Sequence, residues 1–160
     1  FQSSLWLPKI LRKVEEKMKK IAVVYWSGTG NTEKMAVALA EGVKDANVEV
    51  KLFNPSGFSA EKLLEYDIVA FGCPSMGTEQ LEDIEFEPMF AAIQSSLNGR
   101  KLALFGSYGW GDGQWMRDWS DRCKDAGAIL FDELGLIVCE APDADMQDAC
   151  RELGRSLAEW

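Results

Sequence analysis

The sequence predicts one α/β domain in which a parallel sheet of five strands is covered by helices on both faces. Short apolar runs, which suit buried strands, alternate with stretches of helical periodicity, and this alternation is typical of βα units. The length of 160 residues suits a single domain. The hydrophobic content of 47% is sufficient for a core.

The first half of the chain contains three predicted strands and two predicted helices. Residues 21–26 are an apolar run that suits a strand buried on both faces. Residues 32–46 have helical spacing, and residues 48–53 alternate like a strand before an Asn-Pro-Ser-Gly breaker. Residues 59–65 predict a short helix capped by Ser59, and residues 68–72 predict a third buried strand.

The second half continues the alternation. The pattern predicts strands at residues 102–106 and 128–138 and helices at residues 88–97, 113–126 and 144–160. The last strand is expected to be interrupted near Gly135.

Residues 1–17 differ from the rest of the chain in charge. They hold four basic residues and two acids, so their net charge is +2; residues 18–160 have −11, and the whole chain has −9. We expect residues 1–17 to be a tag or an extension, because Met18-Lys19-Lys20 resembles a natural start. The alternative is a basic amphipathic helix that docks on a partner or a membrane surface. In both cases residues 18–160 form the functional domain.

The composition excludes several classes of chemistry. The sequence has no histidine, which excludes Ser-His-Asp and Cys-His catalysis. Its acidic balance disfavours nucleic acid as a partner and favours basic proteins. The four cysteines form no C-x-x-C motif, so we expect reduced thiols, no metal site and a cytoplasmic protein. No apolar run reaches the roughly 18 residues that would predict a membrane span.

The loop after the first predicted strand suits an anion. Residues 26–32 read Trp-Ser-Gly-Thr-Gly-Asn-Thr, in which two glycines let the backbone approach a ligand and the helix start offers free N–H groups. The loop has no lysine and no third glycine, which speaks against a P-loop and against a dinucleotide motif. A glycine-rich turn that only caps the helix is the alternative.

The loops after the third and fourth predicted strands suit a flat apolar ring. Met76 and Trp110 lie on these loops rather than on helical stripes, so they are candidates to enclose an aromatic ring from its two faces. Alternatively, both side chains close the end of the sheet. A phosphate site beside an aromatic slot, without catalytic acids or bases, indicates a ligand that has its own reactivity.

These three loops together resemble the FMN loops of bacterial flavodoxins. The matching segments are Tyr-Trp-Ser-Gly-Thr-Gly-Asn-Thr-Glu at residues 25–33, Gly-Cys-Pro-Ser-Met-Gly at residues 72–77 and Phe-Gly-Ser-Tyr-Gly-Trp-Gly at residues 105–111. The similarity covers residues 18–160 and is strongest to the short-chain clostridial type, because residues 128–140 leave no room for a long insertion in strand five. The resemblance implies a flavodoxin-like sheet of order 2-1-3-4-5 and non-covalent FMN.

The roles of single residues follow from the resemblance. It implies that the first loop holds the FMN phosphate, that Met76 and Trp110 flank the ring, and that Thr78 and Glu79 contact its edge. Gly77 is implied to turn its carbonyl toward flavin N5, for which glycine with a positive φ is suited, while Thr78 keeps a negative φ. The implied cofactor-binding residues are Ser27, Gly28, Thr29, Gly30, Asn31, Thr32, Ser75, Met76, Gly77, Thr78, Glu79, Ser107, Tyr108, Gly109 and Trp110.

The resemblance also implies a function. The protein is expected to be a low-potential one-electron carrier that shuttles its FMN between semiquinone and hydroquinone and substitutes for ferredoxin, and not to be a stand-alone enzyme. An FMN-dependent NAD(P)H quinone or nitro-compound reductase on the same fold is the alternative. Against this alternative, the chain has no extra residues for a substrate pocket and no histidine to donate a proton.

Five acids lie within nine residues beside the second loop. We expect this acidic run to form a docking rim that attracts the basic faces of redox partners to a monomeric carrier. A solvated approach to the following helix is the alternative. The five acids are Glu79, Glu82, Asp83, Glu85 and Glu87.

Overall fold

The computed structural model describes residues 19–160. The predicted extension at residues 1–17 lies outside the described residues, and both interpretations of it stay open. Short 3-10 turns cover Pro55–Gly57 and Gln94–Ser96. The remaining elements are β1 (Lys20–Tyr25), α1 (Asn31–Asp45), β2 (Glu49–Phe53), α2 (Ala60–Leu63), β3 (Ile68–Gly72), α3 (Phe86–Ile93), β4 (Lys101–Tyr108), α4 (Gln114–Asp125), β5 (Ile129–Leu130), β6 (Leu136–Cys139) and α5 (Ala144–Glu159).

The strands form one parallel sheet. Its order is β2-β1-β3-β4-β5, and β6 also pairs with β4, so the fifth position is shared by two short strands. This confirms the predicted order. Because the chain proceeds from β1 to one side and then crosses over to the other, a crevice opens at the carboxyl ends of the central strands. Within residues 19–160, no helix is long and apolar enough to cross a membrane.

An apolar core lies on each face of the sheet. Side chains of β1 alternate between them: Ala22 and Val24 pack with α3 and α4, whereas Ile21 and Val23 pack with α1 and α5. Aromatic rings dominate the first core, with centroids 5.2 to 6.5 Å apart. This ring cluster consists of Phe71, Phe86, Phe90 and Trp119.

The fifth strand position is interrupted before Gly135, as the sequence predicts. β5 pairs with the first two residues of β4, and β6 pairs with the last four. Between them the chain leaves the sheet in a turn in which Asp132 and Glu133 have φ of +59° and +60°. A turn at this place ends the pairing before it resumes on the same neighbour.

Helices α1 and α5 lie against each other through glycines. A Cβ added to Gly42 would collide with the carbonyl oxygen of Arg151, and one added to Gly154 would collide with that of Leu39. The two backbones therefore approach more closely than any other residue type permits, and this contact fixes how α5 covers the sheet.

We expect Gly154→Ala to lower the free energy of unfolding by about 1–3 kcal/mol, because it forces the two helices apart. The direction of the change in stability is informative, since alanine in place of glycine in an uncrowded helix would raise the free energy of unfolding by roughly 0.5–1 kcal/mol. Urea denaturation of the apoprotein measures the change. Gly57→Ala is the control, because its Cβ would meet only ordinary contacts at 3.4 Å or more. An unchanged or higher stability of Gly154→Ala would contradict the close contact.

Candidate cofactor site

The loop between β1 and α1 is folded around Ser27. Its Oγ accepts hydrogen bonds from the N–H groups of Gly30, at 3.1 Å, and Glu33, at 3.2 Å. Gly30 has φ of +93° at the position that precedes α1, which glycine adopts without strain. This turn bends the loop back over the start of the helix.

Four backbone N–H groups of this loop are left for a ligand. Those of Ser27, Gly28, Thr29 and Thr32 donate to no atom of the described chain. Free N–H groups at a helix start, together with the helix dipole, bind anions. The loop therefore fits the phosphate of FMN, and it does so with backbone donors rather than a cation.

The first and third loops are joined by a buried hydrogen bond. The hydroxyl oxygens of Thr32 and Ser107 lie 2.9 Å apart, and both residues are buried. This contact fixes the start of α1 relative to the end of β4. The first and third loops are thereby held in one relative position.

A cavity of about 330 Å³ opens at the carboxyl ends of β1, β3 and β4. Ten of the predicted cofactor residues line it, namely Ser27, Gly28, Thr29, Asn31, Thr32, Ser75, Met76, Ser107, Tyr108 and Gly109. Three residues outside the implied cofactor-binding set also line it, namely Trp26, Pro74 and Glu140, of which the first two belong to the matching loop segments. A second cavity, of about 370 Å³, shares residues 26–29 with the first and includes Gly30.

Four predicted residues lie outside both cavity linings, on the exposed rim of the site. Gly77, Thr78 and Glu79 form the tip of the second loop, and Trp110 lies on the third loop with 64% of its surface exposed. Met76 lines the cavity and is still 39% exposed. Their roles around the flavin ring stay predictions.

The second loop is a tight turn closed by an antiparallel bridge. Met76 and Gln80 exchange two backbone hydrogen bonds, of 2.7 and 2.8 Å. Gly77 has φ of +54°, which confirms the predicted positive φ, and Thr78 keeps a negative φ. The turn differs in two respects from a type II′ turn, in which glycine with a positive φ is the first of two central residues. It encloses three residues, and Glu79 also has a positive φ, of +55°.

Glu79 joins the second loop to the third. Its Oε1 accepts a hydrogen bond from the N–H of Gln114, at 3.0 Å, at the start of α4. Its carboxyl group occupies the space beside Gly111, where an added Cβ would lie 2.6 Å from it. A carboxylate at a helix N-terminus is favourable. No local sequence pattern indicates this contact, because the partners are 35 residues apart.

Glu82 is buried, with 4% of its surface exposed, and this corrects its expected place in a solvated or docking rim. Its carboxylate accepts N–H groups from Ile84, Glu85 and Phe86, all at 2.8 Å. Burial alone would raise the pKa of this carboxyl, but the three donors outweigh burial and hold the pKa below its ordinary value. Its own N–H donates to Cys73 Sγ at 3.4 Å.

Two other acids of the run, Glu85 and Glu87, also form hydrogen bonds within the chain. Glu87 forms two hydrogen bonds of 2.7 Å with the guanidinium of Arg122. Glu85 accepts the indole N–H of Trp26 at 2.9 Å. Within residues 79–87, Asp83 and Glu85 are the two acids with exposed side chains. The run is therefore partly structural.

Comparisons with known proteins identify the family to which the chain is similar. The family model described as Flavodoxin matches residues 23–154. The flavodoxin of Clostridium beijerinckii is 48% identical over 136 residues, which cover 85% of this chain and 97% of that protein. The flavodoxin of Megasphaera elsdenii is 42% identical over 139 residues, covering 87% and 98%. The solution structure of the two-electron reduced Megasphaera elsdenii protein superposes with a TM-score of 0.79 and 40% identity, covering 88% and 99%.

The fold, the three loops and these matches define an electron carrier that uses FMN. The chain belongs to the flavodoxin family, in its short-chain type. The predicted cofactor and class of function are thereby confirmed, and the reductase alternative is not favoured.

We expect Glu82→Gln to lower the free energy of unfolding of the apoprotein by about 2 kcal/mol at pH 7, because three N–H groups lose a charged acceptor. The folded-state pKa of Glu82 is lowered, so its contribution is complete above the ordinary carboxyl pKa and is lost as the pH falls through the lowered value. The difference from wild type should therefore shrink below about pH 4.

Urea denaturation at several pH values measures this effect. Glu61→Gln is the control, because Glu61 is exposed and forms no side-chain hydrogen bond with the described chain. A difference that stays constant down to about pH 2 would contradict the role of the ionised carboxylate.

Proposed function

We propose that this flavodoxin is a monomeric, cytoplasmic one-electron carrier of low potential that substitutes for ferredoxin. The observation that supports this is the charge of the site. Neither cavity is lined by a lysine or an arginine, whereas Glu33, Glu85 and Glu140 line them. Extra negative charge on a bound reduced cofactor would have no positive side chain beside it, so its formation is disfavoured and the potential is lowered.

FMN, when bound, supplies the redox chemistry by accepting and releasing electrons. The residues of the chain bind and orient it. In this proposal, residues 27–32 hold the phosphate through their free N–H groups, and Ser107, Tyr108 and Gly109 line the ribityl and pyrimidine side. Met76 and Trp110 cover the two ring faces and exclude water from them.

The second loop would then respond to the proton at the flavin N5 position. The carbonyl of Gly77 would accept a hydrogen bond from the protonated N5, and Thr78 and Glu79 would contact the edge of the ring. Because Glu79 also binds the start of α4, the loop is supported from outside the cofactor. The chain would thus favour the first electron and disfavour the second.

We also propose that the protein works with partner proteins rather than as an enzyme by itself. The sequence has no histidine, and the first cavity is lined by a single carboxylate, from Glu140. Asp83 and the 80%-exposed Ile84 lie side by side on the approach to α3. Basic faces of redox partners would be attracted to this rim by the net charge of −11 of residues 18–160.

A redox titration followed by visible spectroscopy tests the proposed function. We expect wild type to take up two electrons in separate steps, with the second potential far more negative. Gly77→Ala should narrow the separation by several tens of millivolts, because alanine is strained at the φ of +54° and about 59 mV corresponds to a tenfold change in equilibrium. No atom lies within 4 Å of the added Cβ, so crowding is not the cause.

Gly77→Asn is the matched variant, since asparagine tolerates a positive φ and should keep most of the separation. The proposal fails if wild type takes up both electrons in one step. It also fails if NADH or NADPH alone reduces the protein rapidly, because direct reduction is the property of a reductase.

Electron transfer to a basic c-type cytochrome should slow as salt rises from about 10 mM to 200 mM, because salt screens attraction between charged surfaces. Asp83→Lys should lower the rate constant several-fold at low salt. At high salt, the rate constants of wild type and of this variant should become equal. Asp125→Lys is the control, since this exposed residue ends α4 at the opposite edge of the sheet. Stopped-flow rate constants that do not change with salt concentration would contradict docking by charge.

A further inference from the structure

We propose that Glu85 is a positioning residue for the phosphate loop and that it acts through the indole of Trp26. This inference rests on the proposed binding of FMN phosphate by that loop. It assigns to one exposed acid of the run a role toward the cofactor that is separate from partner docking.

The first contact fixes the indole. Trp26 follows β1 directly, and its backbone N–H donates to the Gly72 carbonyl at 3.0 Å, which continues the pairing with β3. Its side chain then crosses to the segment before α3, where Nε1 donates to Glu85 Oε2 at 2.9 Å. A hydrogen bond to a carboxylate is stronger than one between neutral groups. It joins two segments that are 59 residues apart.

The second contact places the indole beneath the phosphate loop. A Cβ added to Gly28 would lie 3.0 Å from Cη2 and 3.2 Å from Cζ3 of Trp26. The six-membered ring of the indole therefore packs against Gly28, whose N–H is one of the four free donors. If the indole moves, the support of this donor is lost.

The third contact fixes Glu85 itself. Its backbone N–H donates to Oε1 of the buried Glu82 at 2.8 Å, and Ile84 and Phe86 on either side donate to the same carboxylate. Glu85 thus extends from a backbone that is held at three successive residues. The resulting series of contacts runs from Glu82 through Glu85 and Trp26 to Gly28.

The negative charge of Glu85 and its hydrogen bond to Trp26 have opposite expected effects on the binding of FMN. It lines the second cavity together with the phosphate loop, where a negative charge opposes the binding of an anion. A neutral acceptor would keep the hydrogen bond and remove the repulsion. Glutamine at this position therefore distinguishes the hydrogen bond from the charge.

The experiment compares FMN with riboflavin, which lacks the phosphate. Fluorescence titration of the apoprotein gives the Kd of each ligand for wild type, Glu85→Ala, Trp26→Phe and the double variant. We expect each single variant to raise the Kd of FMN about fivefold and that of riboflavin less than twofold. The reason is that each variant loses one hydrogen bond, which supports only the donors to the phosphate. The double variant should be no weaker than the single ones, because both remove the same contact.

Two further variants complete the test. Glu85→Gln should bind FMN within twofold of wild type or more tightly. Glu61→Ala removes the same charge from an exposed position in α2 and should leave both affinities unchanged. Far-UV circular dichroism of each apoprotein confirms that it is folded.

The inference is overturned if Glu85→Ala leaves FMN affinity unchanged, or if it weakens FMN and riboflavin by the same factor. Additive losses in the double variant would also overturn it, as would a loss in Glu85→Gln as large as that in Glu85→Ala. Failure of wild type to bind FMN would instead overturn the proposed function, so the two failures are distinguishable.

Discussion

Parallel pairing of β1, β3 and β4 brings the carboxyl ends of three strands to one edge of the sheet, and each cofactor loop begins where its strand stops. The pairing continues beyond the end of β3, since the N–H of Cys73 donates to the Phe105 carbonyl of β4 and that of Ser75 to the Ser107 carbonyl of β4. The second loop is thereby held along the end of β4 before it meets a ligand. The buried contact between Thr32 and Ser107 adds the first loop to the same unit. The site is a product of strand register rather than of loop composition alone.

Within this frame, three carboxylates hold the segments around the site in place. Glu79 binds the start of α4, Glu82 holds the turn before α3, and Glu85 holds the indole of Trp26. None of these contacts offers positive charge to a ligand. In the proposed site, the loop between β1 and α1 would hold the phosphate with backbone N–H groups, which neutralise a phosphate less completely than a lysine does. A site that is rigid but electrically negative is consistent with a cofactor that resists its second electron.

Much of the fold was predictable because it depends on local pattern. The apolar run before Trp26 and the helical spacing after it identify β1 and α1, and glycine at position 77 anticipates the positive φ. The burial of Glu82 was not predictable, because it resembles its acidic neighbours in sequence and differs from them only through three N–H groups and Cys73. The contact between Trp26 and Glu85 depends on the pairing of β1 with β3, which brings the segment before α3 close to Trp26. No local sequence pattern specifies this pairing.

The interruption of the fifth strand position bears on how the sheet meets its surroundings. An outer strand with a long free row of N–H and C=O groups invites a second chain to extend the sheet. Here that border is divided into segments of two and four residues, with Asp132 and Glu133 in the turn between them. The opposite border, β2, alternates exposed Glu49 and Lys51 with less exposed neighbours. Both borders of the sheet thus discourage edge-to-edge aggregation with a second copy of the chain.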